Sequence, residues 1–165
     1  MKNSTSHQVT SHLKKLGDKA IATHSAGFFK TGPGEYGEGD QFFGIRVPVL
    51  RKLVKEYQHL SIDEVEEVLH SPWHEQRLLA LLIWVDQFER GNEEIQAAIF
   101  HRYLANTQWI NNWDLVDTSV AKIVGAWLMS RDRGILYDWV KSEALWERRM
   151  AMIATFRFIR ENQFE

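Results

Sequence analysis

The sequence WINNWDLVDTSVAKIVGAW at residues 109–127 decides the fold, because it reads as one amphipathic helix. Asn111 or Asn112 can cap its first turn by accepting a backbone N–H, and Asp114 then lies near the positive end of the helix dipole. We therefore predict a helix over residues 112–129.

One face of this predicted helix is apolar. At about 100° per residue, a single broad stripe contains Trp113, Val116, Asp117, Val120, Val124 and Trp127. A carboxylate that faces a core needs a cation or hydrogen-bond donors, and the local helix supplies neither to Asp117. Two interpretations stay open: a buried acid paired with an arginine that fixes helix packing, or a carboxylate on a concave surface. In the second, Trp113 adds an aromatic face for a cationic ligand, whereas its plainer alternative is core packing.

The composition favours one helical domain. The chain has 165 residues, of which 44% are hydrophobic and 12% aromatic, with only three prolines. The absence of cysteine excludes disulfides and thiolate metal sites and suits a reducing compartment. A net charge of −2 excludes a globally basic nucleic-acid coat, although a basic face can lie opposite an acidic one. No apolar run approaches the roughly 20 residues of a membrane span, so we expect a soluble cytoplasmic protein with no membrane partner.

The rest of the chain reads as roughly eight helices joined by short turns. We expect a first helix from about Ser6 to Ala26, a helix that starts at Pro48, and a capping box formed by Ser61 and Glu64. Further helices are expected at residues 74–90, 93–106, 135–141 and 146–160, with Glu75 and Arg77 as structural ion partners. Successive helix pairs of about 35 to 45 residues predict a solenoid, with a compact irregular bundle as the alternative.

Sequence signatures of metal, nucleotide and covalent chemistry are missing. The Gly-rich residues 28–40 match no nucleotide fingerprint, carry three acids that would repel phosphate, and read as a structured loop. His70 and His74 have a ligand-like spacing, but Pro72 lies between them. There is no Gly-x-Ser-x-Gly motif and no cysteine nucleophile. We therefore predict neither a metal nor an organic cofactor.

Four motifs occur in the order found in one known family. They are FFGIRVP at residues 42–48, HEQRLLAL at 74–81, NNWDLVD at 111–117 and LWERRMA at 145–151. Together they resemble the bacterial DNA alkylation repair glycosylases built from HEAT-like repeats, the AlkD family, over most of the chain. The resemblance implies an α-helical superhelix whose concave, basic face binds duplex DNA carrying alkylated purines, and an activity that excises N3- and N7-alkylated purines.

The resemblance also implies roles for individual residues. It assigns the catalytic acid to Asp117 and its aromatic neighbour to Trp113. The residues implied for DNA binding, or available for backbone contacts, are Arg149, Arg148, Tyr36, Arg46 and Lys52. An N3- or N7-alkylated purine carries a positive charge that weakens its glycosidic bond, so a carboxylate and an aromatic face can stabilise the developing oxocarbenium sugar.

The chain also departs from the family in length. The family continues through further helix pairs, so we expect one domain, residues 1–165, without the C-terminal repeats. The apolar face left by those repeats would favour self-association. Two alternatives to a glycosylase remain: a non-catalytic DNA-binding module, and a protein-binding helical-repeat module in which Asp117 and Arg149 are merely a buried pair.

Overall fold

The structure, a computed structural model, describes residues 5–163, and most of these residues are helical. These residues form nine α-helices: α1 Thr5–Leu16, α2 Lys19–Phe28, α3 Val47–Tyr57, α4 Ile62–Leu69, α5 His74–Arg90, α6 Glu93–Ala105, α7 Trp113–Val120, α8 Gly134–Val140 and α9 Leu145–Arg160. An isolated parallel bridge joins Gln41 to Trp73, and residues 5–163 contain no strand. The predicted all-α class is confirmed.

The chain divides into two compact units, the first ending at Trp84 and the second beginning at Val85. Each unit has its own buried side chains. Those that are fully buried include Val9, Leu13, Leu50, Val65 and Leu69 in the first unit and Ile99, Tyr103, Leu115, Val120 and Met150 in the second. The expected single domain of residues 1–165 stays a prediction.

The expected first helix, Ser6 to Ala26, is wrong, because the structure has two helices there. The break is at Gly17, where an added Cβ would lie 2.6 Å from the backbone oxygen of Phe43. Asp18 then starts α2, since its side chain accepts hydrogen bonds from the backbone N–H groups of Ala20 and Ile21. A close approach from a distant segment therefore ends α1.

Other helix starts in the first unit follow the sequence signals. Pro48 lies in the first turn of α3, where its missing N–H costs nothing. Ser61 accepts from the backbone N–H of Glu64 and Glu64 accepts from that of Ser61, so the predicted capping box is present at α4. The Gly-rich segment forms turns between α2 and α3, as expected of a structured loop.

In the second unit, α9 packs against α7, α8 and the segment that follows α7. This segment, Ala121–Gly125, has π-helical backbone, and the helical conformation continues to a short 3₁₀ turn at Leu128–Ser130. The predicted helix over residues 112–129 is thus one continuous helical stretch with a widened middle. An added Cβ at Gly125 would lie 2.5 Å from the backbone oxygen of Ala154, so α9 crosses this widened turn closely.

Large apolar side chains are exposed along α8 and α9. They include Tyr137, Val140, Met152, Phe156 and Ile159, and a groove between the two helices is lined by Leu136, Ala151, Thr155 and Phe158 among others. The expected self-association through such a face stays a prediction.

Candidate functional site

The start of α7 fixes the position of the candidate site. The side-chain oxygen of Asn112 accepts from the backbone N–H of Trp113 at 2.8 Å, which makes Asn112 the cap. Trp113 is the first residue of α7 and is partly exposed. Asp117 follows it by four residues, one helical turn further along the same side.

Most of the apolar stripe of this helix is buried, but its acid is not. Val116, Val120 and Val124 are fully buried, but Asp117 is exposed, so the structure does not show the buried acid of the first interpretation. Asp117 lies at one edge of the stripe, where a carboxylate can turn towards water. The buried acid of α7 is instead Asp114, whose Oδ1 accepts from the backbone N–H of Leu115 at 2.9 Å.

Asp117 forms a two-pronged ion pair with Arg149 on α9. Arg149 donates from Nε to Oδ1 at 2.8 Å and from Nη2 to Oδ2 at 2.6 Å. The side chains remain 33% exposed for Asp117 and 39% exposed for Arg149. The hydrogen bond that Arg149 donates to Asp117 raises the pKa of Arg149, so the guanidinium stays charged. The packing of α9 against α7 thus joins two of the predicted site residues.

A buried pair of hydroxyl groups lies close to Asp117. The Ser119 hydroxyl donates to the backbone oxygen of Leu115 at 2.6 Å, so the Tyr103 hydroxyl is the donor in its own 2.9 Å bond with Ser119. Burial raises the pKa of Tyr103, the hydrogen bond with Ser119 lowers it by less, and the charge of Asp117 adds to the rise. Tyr103 therefore stays protonated. Neither hydroxyl was predicted, because their pairing joins two helices.

One family of known proteins matches the chain over most of its length. The family model described as DNA alkylation repair enzyme matches residues 9–165. The chain belongs to this family. No curated protein and no solved structure is similar enough to the chain to add to this finding. Membership gives the general function, DNA alkylation repair, and confirms the family that the four motifs indicated.

In this member of the family, Arg148 is held by the turn before α9. Its Nη1 donates to the backbone oxygens of Ser142 and Glu143, at 2.7 and 2.8 Å. Glu147 fixes the same turn, because it accepts from the hydroxyls of Thr107 at 2.7 Å and Ser142 at 2.5 Å. Arg148 therefore orders the start of the helix that carries Arg149, and its contact with DNA stays a prediction.

Three other predicted DNA contacts lie in the first unit. Tyr36 is an exposed residue of the Gly-rich segment, and Arg46 and Lys52 are exposed at the start and in the middle of α3. Arg51 and Lys55 are exposed on α3 as well. These positions leave the side chains accessible, and their roles in DNA binding stay predictions.

The first unit contains a buried polar cluster that the sequence did not predict. Asp40 Oδ1 lies 2.7 Å from Nη2 of Arg77, and Asp40 Oδ2 lies 3.2 Å from Nδ1 of His74. The His74 ring stacks on Phe42, with ring centroids 4.8 Å apart, and lies tilted against Phe29, with centroids 4.6 Å apart. This cluster anchors the end of the Gly-rich segment to the first turn of α5. The spacing of His74 and Arg77, three residues apart on one helix face, was the available signal.

Glu75 does not fulfil the expectation of an ion partner. Its carboxylate accepts hydrogen bonds from three successive backbone N–H groups, those of Phe43 at 3.0 Å, Gly44 at 2.8 Å and Ile45 at 3.1 Å. The expectation holds for Arg77, whose partner is Asp40. Three backbone N–H groups therefore stabilise the Glu75 carboxylate in place of a cationic side chain.

Two absences complete the description of residues 5–163. Within them, no group of three or more His, Cys, Asp or Glu side chains is arranged to hold a metal ion. No helix in the same range is long and apolar enough to cross a membrane.

Proposed function

We propose that the chain is a DNA glycosylase that excises cationic N3- and N7-alkylated purines from duplex DNA. The observation that carries this proposal is the Asp117 carboxylate, which α7 holds partly exposed one turn after Trp113 and opposite Arg149. A carboxylate, an aromatic ring and a guanidinium suit a positively charged nucleoside within a negatively charged backbone.

The accessibility of Asp117 favours this function over a packing role. A carboxylate that served only to fix helix packing would be buried with its arginine, as the alternative interpretation required. Both side chains of the pair are instead more than 30% exposed, at 33% and 39%. Exposed ion pairs of this kind contribute about 0 to 1 kcal/mol to stability, so packing alone gives little reason for the pair.

The reaction needs no activation of the base beyond its alkylation. The bond between C1′ and the purine nitrogen breaks, and its electron pair goes to the base and neutralises the positive charge there. The sugar becomes an oxocarbenium ion, which a water oxygen attacks at C1′. That water loses a proton, and the products are a neutral alkylated purine and an abasic site.

The side chains of the second unit have separate tasks in this scheme. Asp117 stabilises the charge on the sugar and accepts the proton of the attacking water. Trp113 presents its ring to the sugar and the cationic base. Arg149 holds a backbone phosphate, which fixes the position of the strand but carries no sequence information. No metal or organic cofactor takes part.

The experiment is release of 7-methylguanine and 3-methyladenine from methylated duplex DNA by the purified protein. We expect the Asp117→Asn variant to release base at least about 100-fold more slowly, because it removes the charge at nearly constant shape. Asp138→Asn is the matched control, since Asp138 is an exposed acid of α8 in the same unit. That variant should keep the wild-type rate.

The other outcomes separate the alternatives. Equal rates for wild type and Asp117→Asn would remove Asp117 as the catalytic group. Salt-dependent DNA binding without any base release would indicate a non-catalytic DNA-binding module. Failure to bind duplex DNA at low salt would favour a module that binds proteins.

A further inference from the structure

The ion pair between Asp117 and Arg149 occupies both groups that the proposed function needs. The two prongs, at 2.8 and 2.6 Å, use the carboxylate oxygens of Asp117 and direct the guanidinium of Arg149 at them. In this arrangement the arginine is turned to the protein, and the carboxylate is already neutralised. The charges of Asp117 and Arg149 must therefore separate before either can act on DNA.

We propose that Arg149 changes partner when duplex DNA binds: it leaves Asp117 for a backbone phosphate, and the positive charge of the alkylated nucleoside takes its place beside the carboxylate. The second half of this inference rests on the proposed function. The first half concerns DNA binding alone.

The geometry of the pair suits such an exchange. A guanidinium presents its N–H groups in a flat fork, and this fork matches the two oxygens of a phosphate as well as those of a carboxylate. Arg149 can therefore keep the same kind of two-pronged contact with the new partner. A lysine, with a compact charge, would lose that match.

Because the pair is exposed, little free energy is needed to separate Asp117 from Arg149. Because Asp117 is 33% and Arg149 39% exposed, water reaches both groups when they separate. Exposed ion pairs contribute little to stability, so a single phosphate contact offsets the loss of one. In the free protein, Asp117 and Arg149 thus form a weak ion pair that a DNA phosphate can replace.

The exchange also controls the charge of the catalytic group. While the guanidinium lies against it, Asp117 presents little net negative charge to a nearby cation. Once Arg149 has moved to a phosphate, the carboxylate is uncompensated and stabilises the positive nucleoside and the developing sugar cation. The full negative charge of the site therefore develops only on DNA.

A double-mutant cycle on undamaged duplex DNA tests the first half. Asp117→Asn frees Arg149 from its competitor, so we expect binding about two- to fivefold tighter than wild type, as measured by fluorescence anisotropy at low salt. In an Arg149→Ala background there is no arginine to free. There, Asp117→Asn should change the affinity no more than Asp138→Asn, which measures the effect of removing one negative charge.

The salt dependence of the same binding curves gives a second readout. Wild type and Asp117→Asn should have equal slopes of log affinity against log salt, because Arg149 contacts a phosphate in both complexes. Arg149→Ala should have a slope smaller by about 0.9, the value for one lost phosphate contact. Arg149→Gln removes the charge but keeps a polar side chain, although a shorter one, and should behave as Arg149→Ala does.

The outcomes distinguish this inference from the proposed function. An equal gain from Asp117→Asn in both backgrounds, or an unchanged slope in both Arg149 variants, would overturn the exchange. Base release that depends on Asp117 would still uphold the glycosylase in that case. Conversely, the expected cycle without any base release would support the exchange with phosphate and overturn the glycosylase.

Discussion

The two units each contain an aspartate paired with an arginine, and the two pairs differ in burial. In the first unit, the side chains of Asp40 and Arg77 are only 3% and 4% exposed. In the second unit, Asp117 and Arg149 are exposed to solvent by about a third. The same two chemical groups therefore meet in two environments within one chain.

The difference shows how burial decides the use of an ion pair. Separating Asp40 from Arg77 would leave two charges away from water, and the aspartate also contacts His74 while Arg77 donates to the backbone oxygen of Ser71 at 3.3 Å. Such a pair is permanent as long as the unit is folded. Separating Asp117 from Arg149 leaves both groups in contact with water. The buried pair therefore serves the fold, and the exposed pair is available for function.

The largest expected effect is the loss of protein stability when the buried pair is broken. Asp40→Asn should lower the free energy of unfolding by about 3 to 5 kcal/mol, because it leaves the Arg77 charge buried without its counter-charge. Asp117→Asn, the same chemical change at the exposed pair, should cost no more than about 1 kcal/mol. Urea denaturation of both variants measures the two losses. Equal losses would show that burial does not separate the two pairs.

A second comparison uses two glutamates. Glu75→Gln should cost about 1 to 3 kcal/mol, since an amide NH₂ would meet fixed backbone N–H donors that cannot turn away. Glu147→Gln should cost less than about 1 kcal/mol, because the hydroxyls of Thr107 and Ser142 can rotate and accept from the amide. Urea denaturation again gives the values. A larger loss at Glu147 would reverse the comparison.

Gly125→Ala tests the packing that brings the exposed pair together. The new Cβ would lie 2.5 Å from the backbone oxygen of Ala154, so α9 must move away from the π-helical segment. We expect a loss of about 1 to 3 kcal/mol of stability. The rate of base release, measured where the variant is fully folded, should fall as Arg149 and Asp117 move apart. An unchanged rate would mean that this crossing does not position the site.

The smallest expected effect is the pH dependence of the buried pair. Burial raises the pKa of Asp40, but the hydrogen bond from His74 and the charge and hydrogen bond of Arg77 together outweigh it, so the pKa lies below its ordinary value of 3.8. A lowered folded-state pKa gives stability that is present above the unfolded value and is lost as the pH falls through the folded value.

The wild-type protein should therefore exceed Asp40→Asn in unfolding free energy by an amount that shrinks as the pH falls from about 5 to about 3. Urea denaturation of both proteins across this range measures the difference. A difference that grows in acid would contradict the assigned direction of the pKa shift.

Sequence signals predicted the local parts of the fold well. Pro48, the capping box of Ser61 and Glu64, and the cap at Asn112 each act within a few residues, and each is present as expected. The break after α1 was missed, because Gly17 is required by the oxygen of Phe43, a residue far along the chain. Helix periodicity contains no information about such an approach.

The candidate site was predictable only in part for the same reason. The family motifs named Asp117 and Arg149, whose pairing joins residues 32 positions apart, but periodicity placed the acid only within the apolar stripe and left its burial open. Its position at the edge of the stripe lets it meet water and Arg149 instead. The polar groups of Tyr103 and Ser119 depend likewise on how two helices meet, which the local pattern does not encode.

The three N–H groups that converge on Glu75 form an anion receptor that the protein fills with its own carboxylate. Runs of backbone donors of this kind hold phosphate or carboxylate ligands in many proteins. Here the ligand is a side chain of α5, and it reaches back to the residues just before α3. The carboxylate therefore binds these residues as a separate anion would. Because it belongs to the same chain, its local concentration does not depend on the solution. A free carboxylate such as formate would compete for this receptor only after the side chain of Glu75 had been removed.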